Sequence, residues 1–173
     1  PRMKKRPTLL LIGADGQLGW ELQRTLAPLG HLARATLDGR WEQAVNLADA
    51  ESIARLIRET QPDVVINAAA YTAVDKAETE LDLAQRINGD APGLIGRLVA
   101  ERRVPVLHYS TDFVFSGASD RPYREDDEPG PINVYGITKL DGENRLLDSG
   151  TPALILRTSW VYGRYGQNFL LTM

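Results

Sequence analysis

The stretch Thr8-Leu9-Leu10-Leu11-Ile12-Gly13-Ala14-Asp15-Gly16-Gln17-Leu18-Gly19 decides how the rest of the chain is read. After Thr8 its first residues are apolar at every position, the pattern of a strand buried on both faces of a parallel sheet. Three glycines then follow in the pattern GxxGxxG, and Leu18, Leu22, Leu26 and Leu29 recur at helical spacing up to Gly30, a suitable stop. Glycines let the backbone turn sharply and approach a pyrophosphate, whose charge is met by the N–H groups and positive end of the helix starting near Gln17. Gly13, Gly16, Gln17, Leu18 and Gly19 are therefore candidate cofactor-binding residues. A tight strand-to-helix turn with no ligand is the alternative.

Outward from this unit, short apolar runs alternate with stretches of helical period. Strands are predicted near His31–Ala35, Asp63–Asn67, Val104–Tyr109 and Ala153–Arg157. Helices are predicted near Ala48–Thr60, Leu81–Arg102 and Val134–Leu147. The fold class is α/β, a doubly wound parallel sheet of Rossmann-like type. Pro92 and Gly93 predict a kink or break within the second of these helices. Residues 118–131 hold prolines and an acidic run, Asp126-Asp127-Glu128, without helical period, and read as a loop over the sheet's C-terminal edge. The last residues, from Gly166, look like the start of a helix with no stop. Residues 1–173 are expected to form one dinucleotide-binding domain that ends before a second, C-terminal domain.

With 43% hydrophobic and 25% charged side chains, 173 residues can build one globular core. The net charge is −3 and the basic residues are scattered, which argues against a nucleic-acid or membrane-surface partner and for small-molecule chemistry. There are no cysteines and two well-separated histidines, so ligand spacing gives no metal site. No apolar run approaches the roughly 18 residues of a membrane span, and no signal-peptide pattern is present, so a cytoplasmic location is expected.

At the end of the second predicted strand, Asp38 could accept from an adenosine 2′-hydroxyl, whereas Arg40 could pair with a 2′-phosphate. NADH is expected there, with NADPH tolerated; two solvated loop charges are the alternative. Asn67-Ala68-Ala69-Ala70-Tyr71-Thr72 places small side chains where the nicotinamide half of a cofactor would cross the sheet, unless the alanines only pack a helix. Tyr135-Gly136-Ile137-Thr138-Lys139 sets a phenol and an ammonium on one helix face. A positive charge about 4 Å away, at an effective dielectric near 20, contributes about 4 kcal/mol, enough to bring the phenol towards neutral pH for proton exchange with a carbonyl oxygen. In Tyr109-Ser110-Thr111-Asp112, at a strand's C-terminal end, a hydroxyl could orient that carbonyl or merely cap a turn.

Together, the segments Gly13–Leu22, Asn67–Glu78, Ser110–Phe115, Tyr135–Lys139 and Arg157–Gly163 resemble the extended short-chain dehydrogenase/reductases, most closely the dTDP-4-dehydrorhamnose reductases. The resemblance implies NAD(P)H-dependent reduction of dTDP-6-deoxy-L-lyxo-4-hexulose, a nucleotide-sugar substrate, to dTDP-L-rhamnose. It implies a catalytic set of Thr111, Tyr135 and Lys139. Asp112 and Trp160 would face the sugar with Thr111. Tyr71, Thr72 and Tyr109 would line the cofactor beside Ala69 and Ala70, with Lys139 also on the nicotinamide ribose, and Asn46 and Leu47 would lie on the adenine side. The chain departs from the family at Phe113, often tyrosine, and at Asn46, often aspartate. Some members form dimers with a magnesium ion held partly by a glutamate that Glu21 matches, so a homodimer with Mg2+ is among the implications. Two alternatives stay open: a non-catalytic dinucleotide-binding subunit, resembling the regulatory subunit of methionine adenosyltransferase, and another nucleotide-sugar epimerase or dehydratase.

Overall fold

The computed structural model describes residues 6–166 and 168–173. Six parallel strands form one sheet in the order β3-β2-β1-β4-β5-β6: β1 (Thr8–Ile12), β2 (His31–Thr36), β3 (Gln43–Ala44), β4 (Val64–Asn67), β5 (Val106–Thr111) and β6 (Ala153–Thr158). β1 pairs with β2 on one side and β4 on the other, Leu10 lying opposite Ala33 and Val65. Leu10, Leu11 and Ile12 are wholly buried, each contributing about 1.5–3 kcal/mol relative to exposure. The apolar run reads as a central strand because both of its faces are covered.

Helix α1 (Gln17–Leu26) lies on the face of Leu9, Leu11 and Ile66. It ends at Leu26 rather than at Gly30, because Pro28 cannot continue it, and Leu29 is left exposed. Helix α2 (Ala50–Thr60), capped by the Asp49 carboxylate on the Glu51 N–H, covers the opposite face through Ile53, Leu56 and Ile57. The short helix α3 (Val74–Ala77) and the two-residue strand β3 went unforeseen, being too short to carry a period.

Where one long helix with a kink or break at Pro92 and Gly93 is expected, the chain makes α4 (Leu81–Ala84), a π-helical turn (Gln85–Asp90) and α5 (Ala91–Ala100). Pro92 has no N–H and would crowd the carbonyl four residues back, that of Asn88. The π turn relieves this before the proline is reached: the Ala91 N–H bonds to the Arg86 carbonyl, five residues back. Helix α6 (Val134–Leu147) starts at Asn133, whose side chain accepts from the Gly136 N–H at 2.7 Å, and packs on α5 and the π turn. The fit is close, since a Cβ at Gly142 would lie 2.0 Å from the Asn88 carbonyl oxygen. A short helix α7 (Phe169–Thr172) ends the chain. Residues 118–131 contain no helix or strand and are braced by an Arg121–Asp127 ion pair. No helix among the described residues is long and apolar enough to cross a membrane.

Candidate functional site

A cleft of about 630 Å³ opens at the C-terminal ends of β1, β4 and β5. It lies where the strand order reverses about β1, the place at which open α/β sheets hold their ligands. The loop Gly13–Leu18 forms one wall and Ala68–Ala70 with Thr72 a second; Tyr109, Ser110, Tyr135, Lys139 and Thr158 lie across from them, and Val161 and Gly166 close the rim.

The three glycines have different physical duties. Gly13 has φ +81°, and a Cβ there would come within 2.8 Å of the Ala69 amide nitrogen. A Cβ at Gly19 would lie 1.9 Å from the Gly13 carbonyl oxygen. Gly16 has an ordinary φ of −69°, and its nearest obstacle to a Cβ is 3.4 Å away. The fold itself therefore requires Gly13 and Gly19, whereas Gly16 leaves open the cleft above helix α1. That helix has no side-chain cap and no acidic residue in its first turn, so its N–H groups face the cleft available to an anion. Two further donors wait there. The Ser110 hydroxyl and the Gln17 amide nitrogen are buried in the cleft wall with no hydrogen-bond partner among the described residues. This is the donor set that a dinucleotide's phosphates, hydroxyls and carboxamide would satisfy.

Tyr135 and Lys139 both reach the cleft, from successive turns of α6. Lys139 is 1% exposed; its Nζ donates to the Tyr109 carbonyl at 2.7 Å and lies 3.4 Å from His108 Nε2. Burial pushes its ammonium down to about 8, opposed by the Glu143 carboxylate one turn on. The expectation that Lys139 lowers the Tyr135 phenol is not met. Burial raises it, the neighbouring Thr111 side chain opposing and the Asp112 carboxylate adding to the rise. The physical reason is that the lysine nitrogen turns to β5 and has itself lost much of its hold on a proton.

Thr111 makes the turn cap that the sequence allowed. Its Oγ1 accepts from the Phe113 N–H, capping a short 3₁₀ turn, and donates to Asp112 Oδ1 at 3.1 Å. Asp112 also accepts from the Ser159 hydroxyl at 2.7 Å, which joins the ends of β5 and β6 beside the cleft. Trp160 follows with φ +50° and an exposed indole, edge-on to Phe169. A non-glycine residue in this region stores strain, a feature concentrated at ligand sites.

Other expected residues lie apart from the cleft lining. Asp38 and Arg40 are paired with each other at 2.6 Å, Asn46 closes a turn onto the Ala48 N–H, and Leu47 is buried in the core beside α2. The Tyr71 hydroxyl donates to Glu80 at 2.7 Å rather than into the cleft. Glu21 pairs with Arg24, and no group of three or more potential ligands among the described residues is placed to hold a metal, so Mg2+ finds no support. Asn88 was missed altogether. From the π turn its side chain accepts from the Tyr71 N–H and donates to the Tyr71 carbonyl and Thr138 Oγ1, pinning the Ala68–Thr72 wall to α6. The proline four residues ahead was the sequence signal that could have pointed to it.

Fold and site together define a Rossmann-like α/β protein whose ligand cleft receives a tyrosine and a lysine from successive turns of one helix. The chain belongs to the family described as the RmlD substrate binding domain, whose model matches residues 7–173. It is 47% identical over 165 residues to dTDP-4-dehydrorhamnose reductase of Salmonella typhimurium, an alignment covering 95% of this chain and 55% of that protein. Among solved structures it resembles dTDP-4-dehydrorhamnose reductase of Bacillus anthracis in complex with NADP, with TM-score 0.88, 33% identity, and coverage of 96% and 58% of the two chains. The corresponding Clostridium acetobutylicum structure gives TM-score 0.88 and 36% identity, covering 95% and 57%. The chain thus spans about half the length of the curated relatives it matches.

Proposed function

We propose that this chain is the dinucleotide-binding part of an NAD(P)H-dependent reductase acting on the 4-keto group of dTDP-6-deoxy-L-lyxo-4-hexulose and yielding dTDP-L-rhamnose. The observation that carries the reading is the buried Lys139, held one helical turn from Tyr135 in a cleft whose wall presents a Ser110 hydroxyl with no partner among the described residues. A hydroxyl and an amine buried at a cleft are costly unless something there uses them. The names of the relatives and the NADP in the Bacillus anthracis structure support the same reading.

Gly16, Gln17 and the opening N–H groups of α1 would hold the pyrophosphate, and Ser110 and Lys139 the nicotinamide end. When bound, the cofactor supplies hydride. Tyr135 gives its proton to the carbonyl oxygen as that oxygen becomes an alkoxide. An alkoxide is far more basic than a phenolate, so a phenol held above its ordinary value still transfers its proton downhill. Thr111 and Asp112 orient the ketosugar beside it. The Asp38–Arg40 pair supports the use of both cofactors: the carboxylate would accept from a 2′-hydroxyl, and the guanidinium, leaving it, would pair with a 2′-phosphate. The test is to follow NADH and NADPH oxidation by the longer protein that carries this chain, against a panel of nucleotide-4-ketosugars. Oxidation with the dTDP-linked sugar is expected. Silence with all of them, in a folded and cofactor-binding protein, overturns the reading.

A further inference from the structure

Behind Lys139 lies a buried polar chain to which the proposed reaction assigns no role. His108 on β5 is wholly buried, its Nε2 3.4 Å from Lys139 Nζ and its Nδ1 3.2 Å from Asn67 Nδ2 on β4. Asn67 is itself oriented, because its Oδ1 accepts from the Ala69 N–H at 3.3 Å. An amide nitrogen only donates, so His108 Nδ1 must accept, and a neutral imidazole then carries its proton on Nε2. That N–H points at the lysine nitrogen. An ammonium has no lone pair to receive it, whereas an amine does.

We propose that His108, oriented by Asn67, is a positioning residue that presents Nε2–H to Lys139 and thereby favours the amine over the ammonium. The proposal deepens the reductase reading, resting on it for the catalytic use of Lys139 but not for the hydrogen-bond arrangement. The groups around the lysine are consistent with it. From α6, Tyr135 and Glu143 flank it. From β5 come His108 and the Tyr109 carbonyl. From β6, Arg157 binds both Glu143 carboxylate oxygens at 2.7–3.2 Å and competes with the ammonium for that acid, whose opposing pull on Lys139 remains. Burial and the Lys139 charge also keep His108 itself neutral, well below the ordinary histidine range.

The consequence lies in the step after reduction. Once Tyr135 has given its proton away, the phenolate regains one from the Lys139 ammonium, leaving a phenol and an amine. His108 Nε2–H stabilises that amine until the amine takes a proton from solvent through the cleft. Protons balance over the cycle, and His108 neither gains nor loses one.

The test is nuclear magnetic resonance on the chain labelled with 15N in histidine and 13C in lysine, with Lys139→Met and His108→Gln identifying the signals. His108 is expected to be neutral with the proton on Nε2, and Lys139 to titrate near 8. In His108→Gln the amide can turn its oxygen to the ammonium, and the Lys139 titration is expected to rise by about one pH unit, the size of one buried hydrogen bond. Unchanged cooperative melting of that variant separates this from loss of burial. A proton on Nδ1 in the wild type overturns the proposal, as does an unmoved Lys139 titration in the folded variant. Should His108→Gln not fold, the wild-type tautomer still decides. No ketosugar turnover enters these measurements: a chain with the Nε2 proton but no reductase activity rejects the functional reading alone, and an active reductase with the Nδ1 proton rejects this one alone.

Discussion

Tyr135 and Gly16 carry different parts of the proposed chemistry, and single substitutions separate them. In the longer protein that carries this chain, Tyr135→Phe keeps the ring edge-on to Phe113 but removes the proton that goes to the carbonyl. Turnover should fall about 10²- to 10⁴-fold while cofactor affinity barely changes, seen by steady-state kinetics beside titration calorimetry. Gly16→Val should do the reverse. Its backbone accepts a side chain and the cleft does not, so the melting temperature should hold while NADH and NADPH binding by calorimetry is lost. The same valine at Gly13 or Gly19 would not give this separation, since each already meets backbone atoms. Asp38→Asn removes the charge that holds Arg40 and opposes a 2′-phosphate. The ratio of NADPH to NADH affinity should rise roughly tenfold, a factor of the size one charge-assisted hydrogen bond provides. An unchanged ratio would mean that Arg40 does not reach the cofactor.

At the level of elements, the contact between α6 and the π turn is the most exacting. Gly142→Ala would drive a methyl group into the Asn88 carbonyl oxygen. Overpacking of this kind costs about 1–3 kcal/mol, to be read as a lower thermal midpoint. Asn88 would also be pushed off Tyr71 and Thr138. The long elements were legible because each repeats one physical cue many times. The β1 strand is apolar without alternation since both faces are buried, and α6 shows its start through the Asn133 cap. What stayed hidden depends on partners remote in sequence. β3 exists as two residues paired to Ala35 and Thr36. The Asn67–His108–Lys139 chain joins three elements, and His108 reads as nothing more than a residue in an apolar strand until β4 is laid beside it. Tyr135 and Lys139 were found from their spacing, but their proton balance was misread, because burial and a carbonyl on β5 weigh more than a charge one turn away.

For the molecule as a whole, Lys139 links the site to stability. Its folded value of about 8 lies below the ordinary 10.5, so between those values the unfolded chain binds more protons than the folded one. Stability therefore rises with pH across that window, by on the order of 3 kcal/mol if nothing else titrates. The phenols of Tyr71, Tyr109 and Tyr135, raised above 10 in the folded chain, pull the other way at the top of it. Thermal melts from pH 7.5 to about 10 should show the rise, and Lys139→Met should abolish it. That variant should also be the more stable protein at neutral pH, having no charge to bury, while losing turnover and cofactor affinity in the longer protein. A site that costs stability where it works is the expected mark of function over fold.

The π turn also fixes a phase angle. Each residue of an α-helix advances the chain about 100° around its axis, so the extra residue in the wider turn offsets the faces of α4 and α5 by about that much. Removing Gly89 or Asp90 would let a single uninterrupted α-helix form, with Pro92 driven onto the carbonyl behind it and the preceding turns swung round by more than a quarter of a circle. Asn88 would then point away from the cleft wall it now holds. The length of this helix is thus counted in the angle at which one side chain must arrive, and a change of one residue there acts as a rotation rather than as a shortening.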